Sequence, residues 1–140
     1  MFKKILLATD GSAPSERATD IAASLALRYH AEVLVLHALT RIPDSLGEPN
    51  YSRTLSHMLE HARSLVANVE SRLRELGIAY VDTDVIEGGA ADVILDVVHT
   101  RNPDLLVIGA RGLSQWKGLM LGSVSMAVTH RAPCPVMVVK

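Results

Sequence analysis

Short runs of branched apolar residues alternate along this chain with longer stretches in which apolar positions recur every three or four residues. The runs fall at about 2–9, 32–38, 79–86, 104–109 and 135–139. An unbroken apolar run of that length reads as a strand covered on both faces, as in a parallel sheet. Helical periodicity fills the intervals. A first helix is announced by Ser12 and Pro14, a cap-like residue and a proline in the first turn, and carries Ala18, Ile21, Ala22, Leu25 and Ala26 on one stripe. A second runs from about Tyr51 to Leu76 and stops at Gly77, the residue type expected just past a helix end. A third covers about Ala90 to Thr100 with Ile94, Val97 and Val98 inward, and a fourth follows Gly122. Strands and helices in strict alternation predict one α/β domain over residues 1–140: a doubly wound, five-stranded parallel sheet with right-handed crossovers and helices on both faces. Ligands of such sheets sit beyond the carboxyl ends of the strands, where the strand order reverses. Thr9-Asp10, Ala38 and Gly109 share that rim, because each follows directly on its strand or ends it.

The rim is richest in candidate chemistry after the fourth run. Gly109-Ala110-Arg111-Gly112 follows Leu105-Leu106-Val107-Ile108, and Gly122-Ser123 arrives after nine further residues. Glycine at the strand exit lets the backbone turn and approach a ligand closely. Gly122-Ser123 opens the fourth helix, so the amides of Ser123, Val124 and Ser125 and two serine hydroxyls lie at a helix N-terminus, which binds anions; Ser123 also suits the N-cap itself. Arg111 supplies a guanidinium suited to bidentate phosphate contact. The spacing is neither the dinucleotide G-x-G-x-x-G nor the Walker G-x-x-x-x-G-K-[ST].

With its G-x2-G-x9-G-[ST] pattern the chain resembles the universal stress protein family, in the ATP-binding branch. The opening Lys3-Lys4-Ile5-Leu6-Leu7-Ala8-Thr9-Asp10-Gly11-Ser12, the middle Val33-Leu34-Val35-Leu36-His37-Ala38 and the ending Ala132-Pro133-Cys134-Pro135-Val136-Met137-Val138-Val139 carry the same resemblance. It implies the strand order 3-2-1-4-5 of an adenine nucleotide alpha hydrolase-like fold. It also implies that Asp10 lines the cleft near the ribose and phosphates of ATP, with Mg2+ or a ribose hydroxyl between carboxylate and phosphate. Ala38 would read adenine through its backbone, and Ile108 would pack near base or ribose. The terminal strand Val136–Val139 would pair two chains into a homodimer. The function implied is a nucleotide-dependent regulator or protective factor in stress response. A slow ATPase of the same superfamily and a nucleotide-free dimerisation scaffold are the alternatives.

Composition narrows the partners. Aromatic residues make up only 4%, and 14 Lys+Arg against 15 Asp+Glu leave no basic footprint for nucleic acid. No run is long enough to span a membrane, and Met1-Phe2-Lys3-Lys4 passes into a strand without a signal-like apolar segment, so the expected location is cytoplasmic. Cys134 is the sole cysteine, which reads as a small buried hydrophobe in a reducing compartment. His57-Met58-Leu59-Glu60-His61 spells the H-x-x-E-H of inverted zinc peptidases. On the second helix, however, Leu55, Met58, Leu59, Ala62, Leu65, Val66, Val69 and Leu73 fill one arc, and His57, Glu60 and His61 fall opposite, facing water. No activated nucleophile or acid–base pair is visible, so no catalytic residue is assigned. His30, His37, His99 and His130 show no ligand spacing and receive no role.

Overall fold

In the computed structural model, which describes residues 1–110 and 121–140, the apolar runs become strands β1 (Lys4–Ala8), β2 (Glu32–Leu39), β3 (Val81–Glu87), β4 (Leu105–Gly109) and β5 (Val136–Val139). All neighbours pair in parallel, and the sheet order is β3-β2-β1-β4-β5. The order in which strands are added therefore reverses at β1, with β2 on one side and β4 on the other, as the family resemblance implies.

Helices α1 (Ala13–Tyr29), α2 (Asn50–Glu75), α3 (Ala90–Arg101) and α4 (Ser123–Arg131) cover the two faces. Side chains alternate along each strand. Ile5, Leu7, Val33, Val35, Leu105 and Val107 pack against Ala18, Ala22, Ala26, Val66 and Leu73 of α1 and α2. Leu6, Ala8, Leu34, Leu36, Leu106 and Ile108 pack against Ile94, Val97, Val98 and Val128 of α3 and α4. Alanines on α1 let that helix lie close to the sheet, which fixes where its N-terminus meets the rim.

Helix ends follow local chemistry. Ser12 caps α1, its hydroxyl accepting from Ser15 N. Gly77, at φ +98°, ends α2: Ile78 N donates to Leu73 O and Gly77 N to Arg74 O, a left-handed glycine cap. His30 and Asn102 take the same left-handed conformation at the ends of α1 and α3, two stops not marked by glycine. The breaker-rich stretch before α2 contains a 3-10 turn over Asp44–Leu46, and α2 begins one residue before the expected Tyr51.

One expected boundary moves. Gly122, not Ser123, is the N-cap of α4, with φ −72° and ψ 165°, and Ser123 is the first helical residue. Glycine has no side chain to cap with, so the first-turn amides of α4 receive no side-chain acceptor from the cap residue.

Candidate functional site

The rim is built around the end of β1, where the chain leaves the sheet sharply. Thr9 N still donates to Leu36 O of β2 at 2.9 Å. In a regular parallel ladder the next two bonds would run from Ala38 N to Thr9 O and from Gly11 N to Ala38 O. Neither forms. Thr9 O accepts instead from His37 Nδ1 at 2.8 Å, and Gly11 N points to Thr9 Oγ1 at 3.5 Å. Gly11, at φ +79°, adopts the left-handed conformation that turns the chain away from β2. On β2, Glu32 and Leu36 bond toward β1 while Val33 and Leu39 bond toward β3, so Ala38 shares the parity of the first pair. Its N–H and C=O face the gap beyond β1, with no backbone partner among the described residues.

Beside that gap the β1–α1 turn is held tightly. Asp10 Oδ1 accepts from Ser12 N at 2.9 Å, the local turn chemistry typical of Asp in this setting. Thr9 Oγ1 lies 3.0 Å from Ser15 Oγ, and both residues are buried. Asp10 and Thr9 line a recess of about 460 Å³ between α1 and α2, together with His61, Asn68 and Arg72.

Across the switch point, β4 and α4 are tied at one atom. Ala110 O accepts from Gly122 N at 2.6 Å and from Ser125 Oγ at 2.7 Å. The Ser125 hydroxyl also lies 3.0 Å from Gly122 O, and the residue is 2% exposed. Its single proton is thus engaged within the fold, so Ser125 presents no hydroxyl donor to a ligand. Val124 packs its side chain against the α3/α4 core. Ser123 alone of the three is exposed. The site offered at α4 is a set of first-turn amides plus one hydroxyl, rather than the pair expected from the sequence.

Gly109 needs a different explanation from the one its position suggests. Its φ is not in the left-handed range, and a Cβ there would meet Ser15 N at 2.9 Å and the carbonyl carbon and Cβ of Pro14 at 3.0 Å. The close approach that excludes a side chain in this structure is that of the α1 N-terminus.

The sequence-derived residues therefore meet only partly. Thr9 and Asp10 project toward α1 and α2, whereas the side chains of Ala38 and Ile108 lie on the α3/α4 face. They converge through main chain at the rim. Ile108 is 7% exposed and sits in the core beside its pair Ala8. Arg111 and Gly112 lie outside the described residues. His37, given no role from the sequence, is central to the geometry; its only sequence signal is a polar residue at the sheet-end of an apolar run.

Of the other titratable groups, His61 reaches the recess that Thr9 and Asp10 line, whereas Asp104 and Cys134 lie before β4 and β5, at the opposite end of the sheet. His57, Glu60 and His61 are all exposed on α2. Among the described residues no three of His, Cys, Asp and Glu come together to hold a metal ion. The backbone amides of Lys3 and Lys4, donating at 2.8 and 2.9 Å to Asp104 Oδ2, hold that carboxyl below its ordinary range. Partial burial pushes the Cys134 thiol up, which keeps it protonated and poorly nucleophilic near neutrality. No described helix is long and apolar enough to cross a membrane.

Comparison with known proteins supplies the lineage of this arrangement. A universal stress protein of Thermus aquaticus is 39% identical over 140 residues, covering 100% of both chains, and one of Bacillus subtilis is 31% identical over 149 residues, again covering 100% of each. Among solved structures, a universal stress protein from Lactobacillus plantarum superposes with a TM-score of 0.90 at 24% identity, over 99% of this chain and 98% of that one. A universal stress protein in complex with cAMP gives 0.78 at 23% identity, over 99% and 97%. An Arabidopsis thaliana family protein with AMP bound gives 0.73 at 24%, over 99% and 91%. The model of the universal stress protein family matches residues 1–140, and with the fold and relatives in agreement this chain belongs to the universal stress protein family.

Proposed function

We propose that this protein binds an adenine nucleotide at the switch point between β1 and β4, as ATP with Mg2+, and that nucleotide occupancy governs a regulatory or protective role in the cytoplasmic stress response. The observation that carries this reading is the open rung at Ala38. An N–H and a C=O directed together into a rim are complementary to the adjacent acceptor and donor on the edge of adenine, the ring N1 and the exocyclic amino group. The first-turn amides of α4 lie beyond β4 and suit the phosphates, since a helix N-terminus favours anions. Family members with cAMP and AMP bound share the fold, which supports the same ligand class here. ATP rather than AMP rests on the glycine spacing, Arg111 and Gly112 included.

Magnesium fits the residues present in a limited way. Asp10 Oδ1 is occupied by Ser12 N, and Oδ2 has no described partner, so Asp10 would contribute one carboxylate oxygen while phosphates and water complete the shell. That division is usual for Mg2+ on nucleotides. Pairing of two chains through β5 belongs to the same proposal.

A second reading, the nucleotide-free scaffold, draws on one observation: Gly109 is explained by α1 alone. The experiment that separates them is titration of purified protein with Mg-ATP, AMP and cAMP, preceded by mass spectrometry of any ligand released on denaturation. The variant Gly122→Val keeps an allowed backbone, because φ −72° and ψ 165° suit any residue. It should lose ATP binding while its circular dichroism stays unchanged. Undiminished affinity would remove α4's N-terminus from the site.

A further inference from the structure

We infer that His37 is a positioning residue for the nucleotide site: its imidazole holds the Thr9 carbonyl away from Ala38 and so keeps the base-reading edge of β2 open. The inference rests on the proposed nucleotide reading for its purpose, and on geometry for its mechanism.

A parallel pair continues for as long as successive partners are available. Here β1 and β2 are in register from Lys4↔Glu32 to Ala8↔Leu36, and Thr9 N extends the ladder one bond further. The next acceptor, Thr9 O, lies within reach of β2 but is taken by the side chain of the residue preceding Ala38. A carbonyl can only accept, so His37 Nδ1 carries the proton; in the neutral ring Nε2 is then the bare nitrogen. His37 is half-buried on the α1/α2 face, away from the Ala38 side chain. It therefore acts on Ala38 solely through Thr9. The companion bond, Gly11 N to Ala38 O, is diverted to Thr9 Oγ1, and that hydroxyl is itself steadied by Ser15. Two side chains, His37 and Thr9, thus intercept the two bonds that would otherwise close the rung. Of these His37 is the firmer, at 2.8 Å against 3.5 Å.

Removing the donor leaves Thr9 O without a partner in a partly buried place, a cost that the fold relieves by turning the carbonyl to Ala38 N–H. The rung then closes, and the adenine edge loses its donor.

The test uses His37→Leu and His37→Asn. Asparagine places Nδ2 on Cγ, where histidine has Nδ1, and so can still donate to Thr9 O; leucine cannot. In the ligand-free protein, the Ala38 amide should exchange readily with solvent in wild type and in His37→Asn. In His37→Leu it should become protected and show a through-bond coupling to the Thr9 carbonyl by NMR. Affinity for Mg-ATP should fall about tenfold or more in His37→Leu and recover in His37→Asn, a recovery that a purely packing role would not produce. An Ala38 amide already bonded to Thr9 O in wild type, or one unchanged in His37→Leu, overturns the inference. Equal ATP affinity in wild type and His37→Leu overturns it as well. Should wild type bind no adenine nucleotide while the amide pattern appears as expected, the proposed function fails and the hold of His37 on Thr9 stands.

Discussion

Replacing Gly109 by alanine separates two explanations of the same glycine, because they predict opposite signs. If the residue is glycine only to admit a ligand, the ligand-free protein has room for a methyl group. Alanine would then raise stability by about 0.4–1 kcal/mol, by restricting the unfolded chain. The structure argues otherwise: the added Cβ would stand 2.9 Å from Ser15 N and 3.0 Å from two atoms of Pro14. Two of these three atoms are main chain at the start of α1 and cannot rotate away, so α1 must slide or β4 must bend. Overpacking of that kind costs about 1–3 kcal/mol. Urea unfolding without nucleotide reads the difference directly: with a slope of about 1–3 kcal/mol per molar, the midpoint should fall by roughly 1 M. Gly89→Ala is the companion measurement, since the nearest atom to its Cβ would be Asp92 Oδ2 at 3.8 Å, and no steric penalty arises there. A Gly109→Ala midpoint equal to or above wild type would refute the packing explanation and return the glycine to the ligand.

Two further outcomes follow from the sheet margins. Asp104 is held below its ordinary pKa by the amides of Lys3 and Lys4, so its contribution is present above the unfolded value near 3.9 and fades as pH falls through the lower folded value. The stability gap between wild type and Asp104→Asn should accordingly be widest near neutrality and shrink in acid; a gap that widens below about pH 4 would contradict this. On β5, Leu106 N donates to Pro135 O and Ala110 N to Val139 O, so odd-numbered residues bond to β4 and Val138 turns its N–H to the open edge. Val138→Pro should therefore leave the β4 ladder intact yet convert the proposed dimer to monomers in light scattering. A variant that remains dimeric would place the interface elsewhere.

Most of the architecture was legible because apolar periodicity reports which faces are covered. Ser12, Pro14 and Gly77 mark helix ends through chemistry that depends on neighbours a few residues away, and they lie where the pattern put them. The strand order came through family resemblance and agrees with the pairing. What escaped depends on partners distant in sequence. Nothing near Gly109 reveals that Pro14 and Ser15 press on it. The burial of Ser125 follows from a carbonyl fifteen residues earlier. His37 reads as an interruption of a strand until Thr9, twenty-eight residues before it, is seen at its ring. The bond from Ser12 N to Asp10, by contrast, spans two residues and follows from local turn chemistry beside Gly11.

The unfinished ladder at Ala38 also bears on how selectivity and affinity divide. These two backbone groups have no backbone partner among the described residues; under the proposed reading they are solvated without ligand, so a bound base exchanges one set of hydrogen bonds for another and gains only about 0.5–1.5 kcal/mol per bond. A base that fits the gap but offers the wrong edge excludes water without replacing it, and each unmatched group then costs about 1–3 kcal/mol. Under the proposed reading, the exposed rung contributes little to tightness and much to refusal. Inosine triphosphate, which exchanges the amino donor of adenine for a carbonyl and its ring acceptor for an N–H, should bind more weakly than ATP by a larger factor than loss of two average bonds would give. Comparable affinities for the two nucleotides would mean that the base is held by its faces alone.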